Sequence, residues 1–151
     1  MSWEKSIEEL RRRERLAEYR GGDEPVSRQR GRGKLTVRER VAFLADPGSF
    51  HEIGKIAGRA TYDANEELES FMASNSVVGR ATLNGRPAFI LGDDFTVRGG
   101  AADASIRGKL SQSLKQSQEY RMPTAQLIDG TGGGGAIKMF EQDPRTYIPE
   151  T

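Results

Sequence analysis

The sequence predicts an α/β fold in which a β-hairpin, a long helix and a further strand follow one another and a glycine turn closes a buried strand. Three observations carry this. Asn84-Gly85 separates two β-like runs, Ser76 to Leu83 and Arg86 to Gly92, and Asn-Gly in that setting is the strongest short-range hairpin signal. Ala101 to Arg121 is the longest helix candidate, with Ile106, Leu110, Leu114 and Tyr120 on one side and Pro123 ending it. Ala125-Gln126-Leu127-Ile128 then reads as a short strand running into Asp129-Gly130-Thr131-Gly132-Gly133-Gly134-Gly135. Strand, helix and second strand in that order imply a right-handed parallel crossover. The glycine turn therefore falls at the carboxyl end of a strand, where α/β sheets place their ligand sites.

Residues without side chains let another group approach the backbone closely and allow positive φ. A turn of this kind can aim several N–H groups at one point, which suits a phosphate or the oxyanion formed when a carbonyl carbon becomes an enolate. A flexible loop is the plain alternative, since glycine runs are common in linkers. A nucleotide site of the Walker type requires Gly-Lys-Ser/Thr directly after the loop, and Lys138 follows Gly135 by three residues.

Upstream, residues 2–20 read as a charged helix. Trp3, Ile7, Leu10 and Leu16 form a thin apolar stripe, and Glu4, Glu8 and Glu9 precede Arg11, Arg12, Arg13 and Arg15. That charge order complements the macrodipole, and Gly21-Gly22 stops the helix. So thin a stripe predicts a helix lying on a larger body or on a partner chain. Residues 23–34 read as a polar, basic linker carrying Arg28, Arg30, Arg32 and Lys34; the functional reading is contact with an anion such as nucleotide phosphates. Thr36-Val37-Arg38-Glu39 is a capping box that opens a short helix with Leu35, Val41, Phe43 and Leu44 on its apolar side, and Asp46-Pro47-Gly48 ends it. Phe50 to Gly54 reads as a strand and residues 61–75 as loop. Gly135 to Gln142 starts a further helix, and Asp143 to Thr151 is irregular.

Composition narrows the function. The net charge is +1, and residues 1–34 carry 10 basic and 7 acidic side chains, an excess of three. Neither value argues for nucleic acid or an anionic membrane. With no cysteine and one histidine, thiolate metal sites, disulfides and multi-histidine clusters are excluded, and His51 reads as a surface or packing residue. No apolar run approaches the roughly 20 residues of a membrane span, and the N-terminus has no signal-peptide pattern. The expectation is a soluble cytoplasmic protein. One long helix is thin cover for a parallel sheet that needs both faces buried, so these 151 residues are expected to form part of a larger unit, either a truncated chain or a subunit completed by a partner.

Two blocks, Gly33-Lys34-Leu35-Thr36-Val37-Arg38-Glu39-Arg40-Val41 and Asp46-Pro47-Gly48-Ser49-Phe50-His51-Glu52-Ile53-Gly54, together resemble the N-terminal signature of the carboxyltransferase (β) subunits of biotin-dependent acyl-CoA carboxylases, the propionyl-CoA and methylcrotonyl-CoA group. Asp94-Phe95-Thr96-Val97 with Gly99-Gly100 resembles the next block of that family. Leu127-Ile128-Asp129 and its glycines stand where the family carries Asp-Ser-Gly-Gly-Ala-Arg. The resemblance runs in order from about residue 8 to 140.

What the resemblance implies is a crotonase/ClpP-like fold of β-β-α units, of which this chain holds part of the first of two halves. Residues 1–34 then form an N-terminal charged helix and basic linker, and residues 35–151 part of the acyl-CoA carboxyltransferase domain. In the family the first half binds the acyl-CoA, and two glycine N–H groups hold the thioester enolate. They map onto Gly132 and Gly133, with Thr131 in place of the family's Ser; Gly133 and Gly134 are the alternative pair, because the loop is longer and the Ala-Arg is absent. Arg32, Lys34, Phe95, Gly99 and Gly100 are the expected CoA-binding residues. No metal is expected. The carboxyl group would come from biotin borne by a partner protein or domain. The further partners implied are a second carboxyltransferase half or subunit, a biotin carboxyl carrier, biotin carboxylase and an oligomeric assembly. The chain by itself is expected to be inactive. A non-catalytic CoA-ester-binding or assembly subunit with the same fold is the competing reading.

Overall fold

The computed structural model describes residues 3–100, 106 and 108–130. Three helices come first: α1 (Glu4–Tyr19), α2 (Asp23–Gly31) and α3 (Val37–Leu44). Strands β1 (His51–Ile53), β2 (Gly58–Tyr62), β3 (Leu68–Ala73), β4 (Ser76–Leu83) and β5 (Arg86–Asp93) follow. A 3-10 turn at Arg98–Gly100, helix α4 (Lys109–Glu119) and strand β6 (Thr124–Leu127) complete the described elements.

The centre is a four-stranded sheet in the order β1-β4-β5-β6. β4 and β5 pair antiparallel along their whole length, from Ser76 opposite Asp93 to Leu83 opposite Arg86. Asn84 and Gly85 turn them with φ of 51° and 76°, the two left-handed residues that a type I′ hairpin demands. β6 pairs with β5 in parallel, Phe89 opposite Thr124 through Gly92 opposite Leu127. The expected crossover is thus present, with α4 as its helix.

Each face of the sheet has its own cover. Val37, Val41 and Ala45 of the α3 segment pack with Val77, Ala81 and Ile90. On the opposite face Leu110 and Leu114 of α4 pack on Val78, Phe89 and Leu91. Phe89-Ile90-Leu91 reads as a continuous apolar run because alternate residues feed two cores, and all three are at most 1% exposed. Burying each such side chain contributes about 1.5–3 kcal/mol. The capping box forms: Thr36 Oγ1 accepts from Glu39 N–H and the Glu39 carboxylate accepts from Thr36 N–H. Those contacts, the Thr36 backbone donor foremost and Arg30 after it, hold the Glu39 carboxyl down to about 2.

Three stretches differ from the sequence expectation. Residues 61–75 are not loop; β2 and β3 form a two-stranded antiparallel ribbon. The Asp63 carboxylate makes its turn by accepting from Asn65 N–H and Glu67 N–H. Periodicity was weak there because a lone ribbon leaves most side chains half-wet on both faces. Residues 23–31 form a helix where the sequence reads as a polar, basic linker. Asp23 and Glu24 occupy the first turn of α2 and Arg28 and Arg30 the last, an order the macrodipole favours. Helix α4 begins at Lys109, after Gly108 at φ 84°, so Ile106 lies outside it; the start expected at Ala101 lies outside the described residues. The helix expected from Gly135 and the irregular tail from Asp143 lie outside the described residues.

Helix α1 does lie on a larger body, but not through its apolar stripe. Trp3 is 78% exposed, and Ile7 and Leu10 are also exposed. The Arg12 guanidinium donates to the Leu68 carbonyl at 2.7 Å, and Arg13, Glu9 and the Tyr62 hydroxyl form a linked cluster. The contact with β3 is therefore largely polar.

Lys109 offers a pH test of the α4 packing. Its Nζ donates to the Ser76 carbonyl at 2.6 Å. Burial drives its pKa down to about 8; Glu52 opposes that shift and Arg38 reinforces it. A lysine whose folded pKa lies below its unfolded value of about 10.4 releases its proton earlier in the folded state. The unfolded chain then binds more protons between about pH 8 and 10, and stability rises with pH across that window. Urea midpoints measured at pH 7.5 and 9.5 are expected to show this rise in the native protein and a smaller rise in Lys109→Met.

Candidate functional site

The parallel strands β5 and β6 both end at one edge of the sheet, and three sequence blocks meet there. The first leaves β5. Asp94 is 1% exposed, and its Oδ1 accepts from Thr96 N–H at 3.0 Å and from the Thr96 hydroxyl at 2.6 Å. This turn presents Phe95 outward on a fixed backbone. The corner between α1 and α2 seats on it. Gly21 N–H donates to Thr96 Oγ1 at 3.4 Å, and the Arg20 guanidinium stands 4.0 Å from Asp94 Oδ2. Burial lowers the Arg20 pKa from its ordinary value, and the Asp94 charge acts against that shift.

The chain then winds through Arg98, Gly99 and Gly100 with φ of 51°, 66° and 71°. Left-handed backbone at successive positions is where glycine is favoured. Gly100 is needed for closeness as well: a Cβ there would sit 3.0 Å from Gly130 Cα and 3.1 Å from the Asp129 carbonyl oxygen. The second block, the exit of β6, therefore abuts the first. Asp129 N–H donates to Asp93 Oδ2 at 3.2 Å, tying the two strand ends together.

The third block is α2 with the residues after it. A cavity of about 210 Å³ opens between α2 and the first block, with Arg28, Arg32, Arg98, Phe95 and Gly99 among its walls. Three guanidinium groups around one open cavity make a setting for an anion. Arg28 also pairs with Glu24. Arg30 is directed elsewhere, to Glu39 at 2.6 Å. Lys34 Nζ lies 5.7 Å from the centroid of the Phe95 ring and 3.2 Å from Asp129 Oδ1. It also lines a neighbouring open cavity of about 360 Å³ with Arg40, Ile128 and Asp129.

Of the residues singled out from the sequence, Arg32, Phe95 and Gly99 share one cavity, while Lys34 and Gly100 stand on its side nearest Asp129 and Gly130. Gly132, Gly133 and Gly134 lie outside the described residues. Sequence reasoning passed over Arg98, Gln29 and Asp129 as site residues. Arg98 could have been found from its place just before Gly99-Gly100. Gln29 gave no signal, because only the helical path of residues 23–31 brings it to Asp129.

The fold and this edge define a class: a partial α/β unit with its cationic, glycine-lined recess at the ends of parallel strands. Residues 28–143 match the carboxyl transferase domain, and the chain belongs to that family. It is 32% identical over 126 residues to the propionyl-CoA carboxylase beta chain of Roseobacter denitrificans, covering 83% of this chain and 25% of the relative. It is 34% identical over 126 residues to the methylmalonyl-CoA carboxyltransferase 12S subunit of Propionibacterium freudenreichii, covering 83% of this chain and 24% of that one. The chain spans about a quarter of the length of these relatives. Among solved structures, the transcarboxylase 12S hexamer with methylmalonyl-coenzyme A and methylmalonic acid bound matches with a TM-score of 0.71 and 31% identity, over 87% of this chain and 26% of that one. The crotonase-like carboxyltransferase fold expected from the sequence is the fold of these neighbours, here in part. Among the described residues no helix is long and apolar enough to cross a membrane.

Proposed function

We propose that this chain forms the acyl-CoA side of a carboxyltransferase that moves a carboxyl group from biotin to the α-carbon of an acyl-CoA. The observation that carries the reading is the meeting of three blocks at one sheet edge: the arginine-lined cavity of α2, the Phe95–Gly100 turn, and the exit of β6 toward the glycine run. Arg32, with Arg28 and Arg98, faces the CoA phosphates, and Lys34 and Phe95 lie along the path from there toward the glycines. Gly132 and Gly133, or Gly133 and Gly134 in the alternative register, donate N–H groups to the thioester oxygen.

The chemistry assigns the work. Carboxylation at the α-carbon needs a carbanion, which is stable only as an enolate. The enolate oxygen then needs fixed donors in place before the proton leaves. Holding the nucleotide end firmly commits the thioester to that position. Biotin carried by a partner would supply the carboxyl group and, once that group has left it, the base that takes the α-proton; this chain's residues are assigned to the acyl-CoA side alone. A second carboxyltransferase half, the biotin carrier and biotin carboxylase are the partners this reading requires.

Titrating CoA into the protein by calorimetry at low and at high salt tests it. Affinity is expected to fall as salt rises, because the phosphate contacts are screened. Arg32→Ala is expected to weaken CoA binding about tenfold, the scale of one hydrogen bond to a charged group. Equal affinity at both salts, together with an unchanged Arg32→Ala, would remove α2 from the site.

A further inference from the structure

We infer that Arg20 is a positioning residue: its buried pair with Asp94 fixes where the arginines of α2 stand against the Phe95 turn. The inference rests on the acyl-CoA reading above and deepens it, by naming what seats one wall of the arginine-lined cavity on the other.

Arg20 is a costly residue for its own corner. It follows the last turn of α1 with φ 56° and ψ −125°, a left-handed backbone that glycine adopts freely and a side chain strains. Gly21 and Gly22 come next, so the turn itself has no need of an arginine. The Arg20 side chain is 12% exposed, and its Nε stands 4.0 Å from Asp94 Oδ2, close enough for an ion pair and too far for a hydrogen bond. Arg20 Nη1 and Asp94 Oδ2 are both buried, and neither has a hydrogen-bond partner among the described residues. Burial lowers the Arg20 pKa, and Asp94 offsets that only in part. Buried pairs so incompletely satisfied add little stability, and uncharged side chains of similar size often match or better them.

The pair joins the two walls. Asp94 Oδ1 holds Thr96 by its N–H and its hydroxyl, and Thr96 lines the cavity beside Phe95 and Arg98. Arg20 leads through Gly21 and Gly22 directly into α2, which starts at Asp23 and carries Arg28 and Arg32 to the facing wall. The other polar contact across this corner is the Gly21 N–H bond to Thr96 Oγ1, 3.4 Å long. A bond that long leaves the corner free to rock. A guanidinium buried opposite one carboxylate gives it a single seat, because any other position leaves both charges unpaired. Small displacements of binding groups are costly in such sites.

Calorimetric titration of CoA into the full chain, together with the denaturant midpoint, tests this in the uncharged pair Arg20→Met/Asp94→Asn. Asparagine keeps an oxygen for Thr96, and the net charge is unchanged, so a loss of affinity does not come from a weaker overall field. The midpoint is expected to hold or rise, while CoA affinity falls about tenfold, the scale of one hydrogen bond to a charged group. Arg20→Lys, which keeps a cation for Asp94, should retain most of the affinity. Arg32→Ala should weaken binding less in the uncharged pair than in the native protein, because α2 is already displaced. Unchanged CoA affinity would overturn the inference, whatever the midpoint does. Arg20→Lys as weak as the uncharged pair would overturn it too, since the charge would then not be what seats the corner. If midpoint and affinity fall together, an undiminished effect of Arg32→Ala overturns the placement role and a smaller effect upholds it. A native protein that does not bind CoA would sink the acyl-CoA reading. Hydrogen exchange would then decide the seating: the uncharged pair should speed it at the Gly21 and Val26 amides and not in β4 and β5. Exchange unchanged at those two amides, or faster throughout the sheet, would overturn it.

Discussion

Gly21→Ala is expected to lower the stability of the folded chain by about 3 kcal/mol, the upper range for forcing extra volume into a packed site. A Cβ at Gly21 would lie 1.8 Å from the Thr96 carbonyl oxygen and 2.5 Å from its carbon. Both atoms are backbone, so no rotamer change relieves the contact. Thr96 in turn cannot retreat cheaply, because Asp94 holds both its N–H and its hydroxyl. Relief requires the α1–α2 corner to lift from the Asp94–Val97 turn, and that would unseat Arg20 from Asp94. Denaturant midpoints measure the loss. The site adds a second readout, since lifting the corner moves Arg28 and Arg32 away from Phe95 and CoA affinity should fall with stability. Gly31→Ala is the control: nothing lies within 4 Å of its added Cβ, and its stability should be unchanged or slightly raised. If the two variants unfold at the same denaturant concentration, the corner is not seated as described.

Much of this frame was legible in the residues. The hairpin at Asn84-Gly85, the capping box at Thr36 and Glu39, the buried run Phe89-Ile90-Leu91 and the parallel β5–β6 crossover all stand where local chemistry puts them. The first three are set by short-range rules, a positive-φ demand, a reciprocal cap and burial on both faces, and the crossover follows from the order of the elements. What failed was structure decided at long range. Residues 58–73 form a ribbon because α1 lies along β3 and Asp63 closes the turn, and neither cause shows in the hydrophobic period. Residues 23–31 look like a linker since α2 has few apolar side chains, yet it is docked through Gln29 and the Gly21 corner. The site divides the same way. Arg32 came from the basic run of residues 23–34, and Phe95, Gly99 and Gly100 from motif resemblance; of these, Arg32, Phe95 and Gly99 line one cavity. Asp129 and Gln29 are 100 residues apart, and a hydrogen bond across that separation leaves no mark in either neighbourhood.

In the complete carboxyltransferase, Gly133→Ala is expected to reduce kcat by about 10²–10³-fold with a much smaller change in KM. The asymmetry follows from when the charge appears. The thioester oxygen is nearly neutral in the bound substrate and becomes an oxyanion only as the α-carbon gives up its proton, so its donors stabilise the transition state more than the ground state. One lost donor corresponds to about 3–4 kcal/mol. The run starts from a fixed point, with Asp129 N–H on Asp93 and Gly130 against Gly100. A methyl group added three residues beyond Gly130 should therefore act on the donors and the thioester, not on the sheet. Thermal unfolding of Gly133→Ala should accordingly match the unmodified enzyme. Gly132→Ala and Gly134→Ala settle the register: the larger kcat loss identifies the second donor, because the pair is either Gly132 with Gly133 or Gly133 with Gly134. Near-normal kcat in a folded Gly133→Ala would remove this residue from both pairs, and with it the proposal that the run is an oxyanion hole rather than a turn.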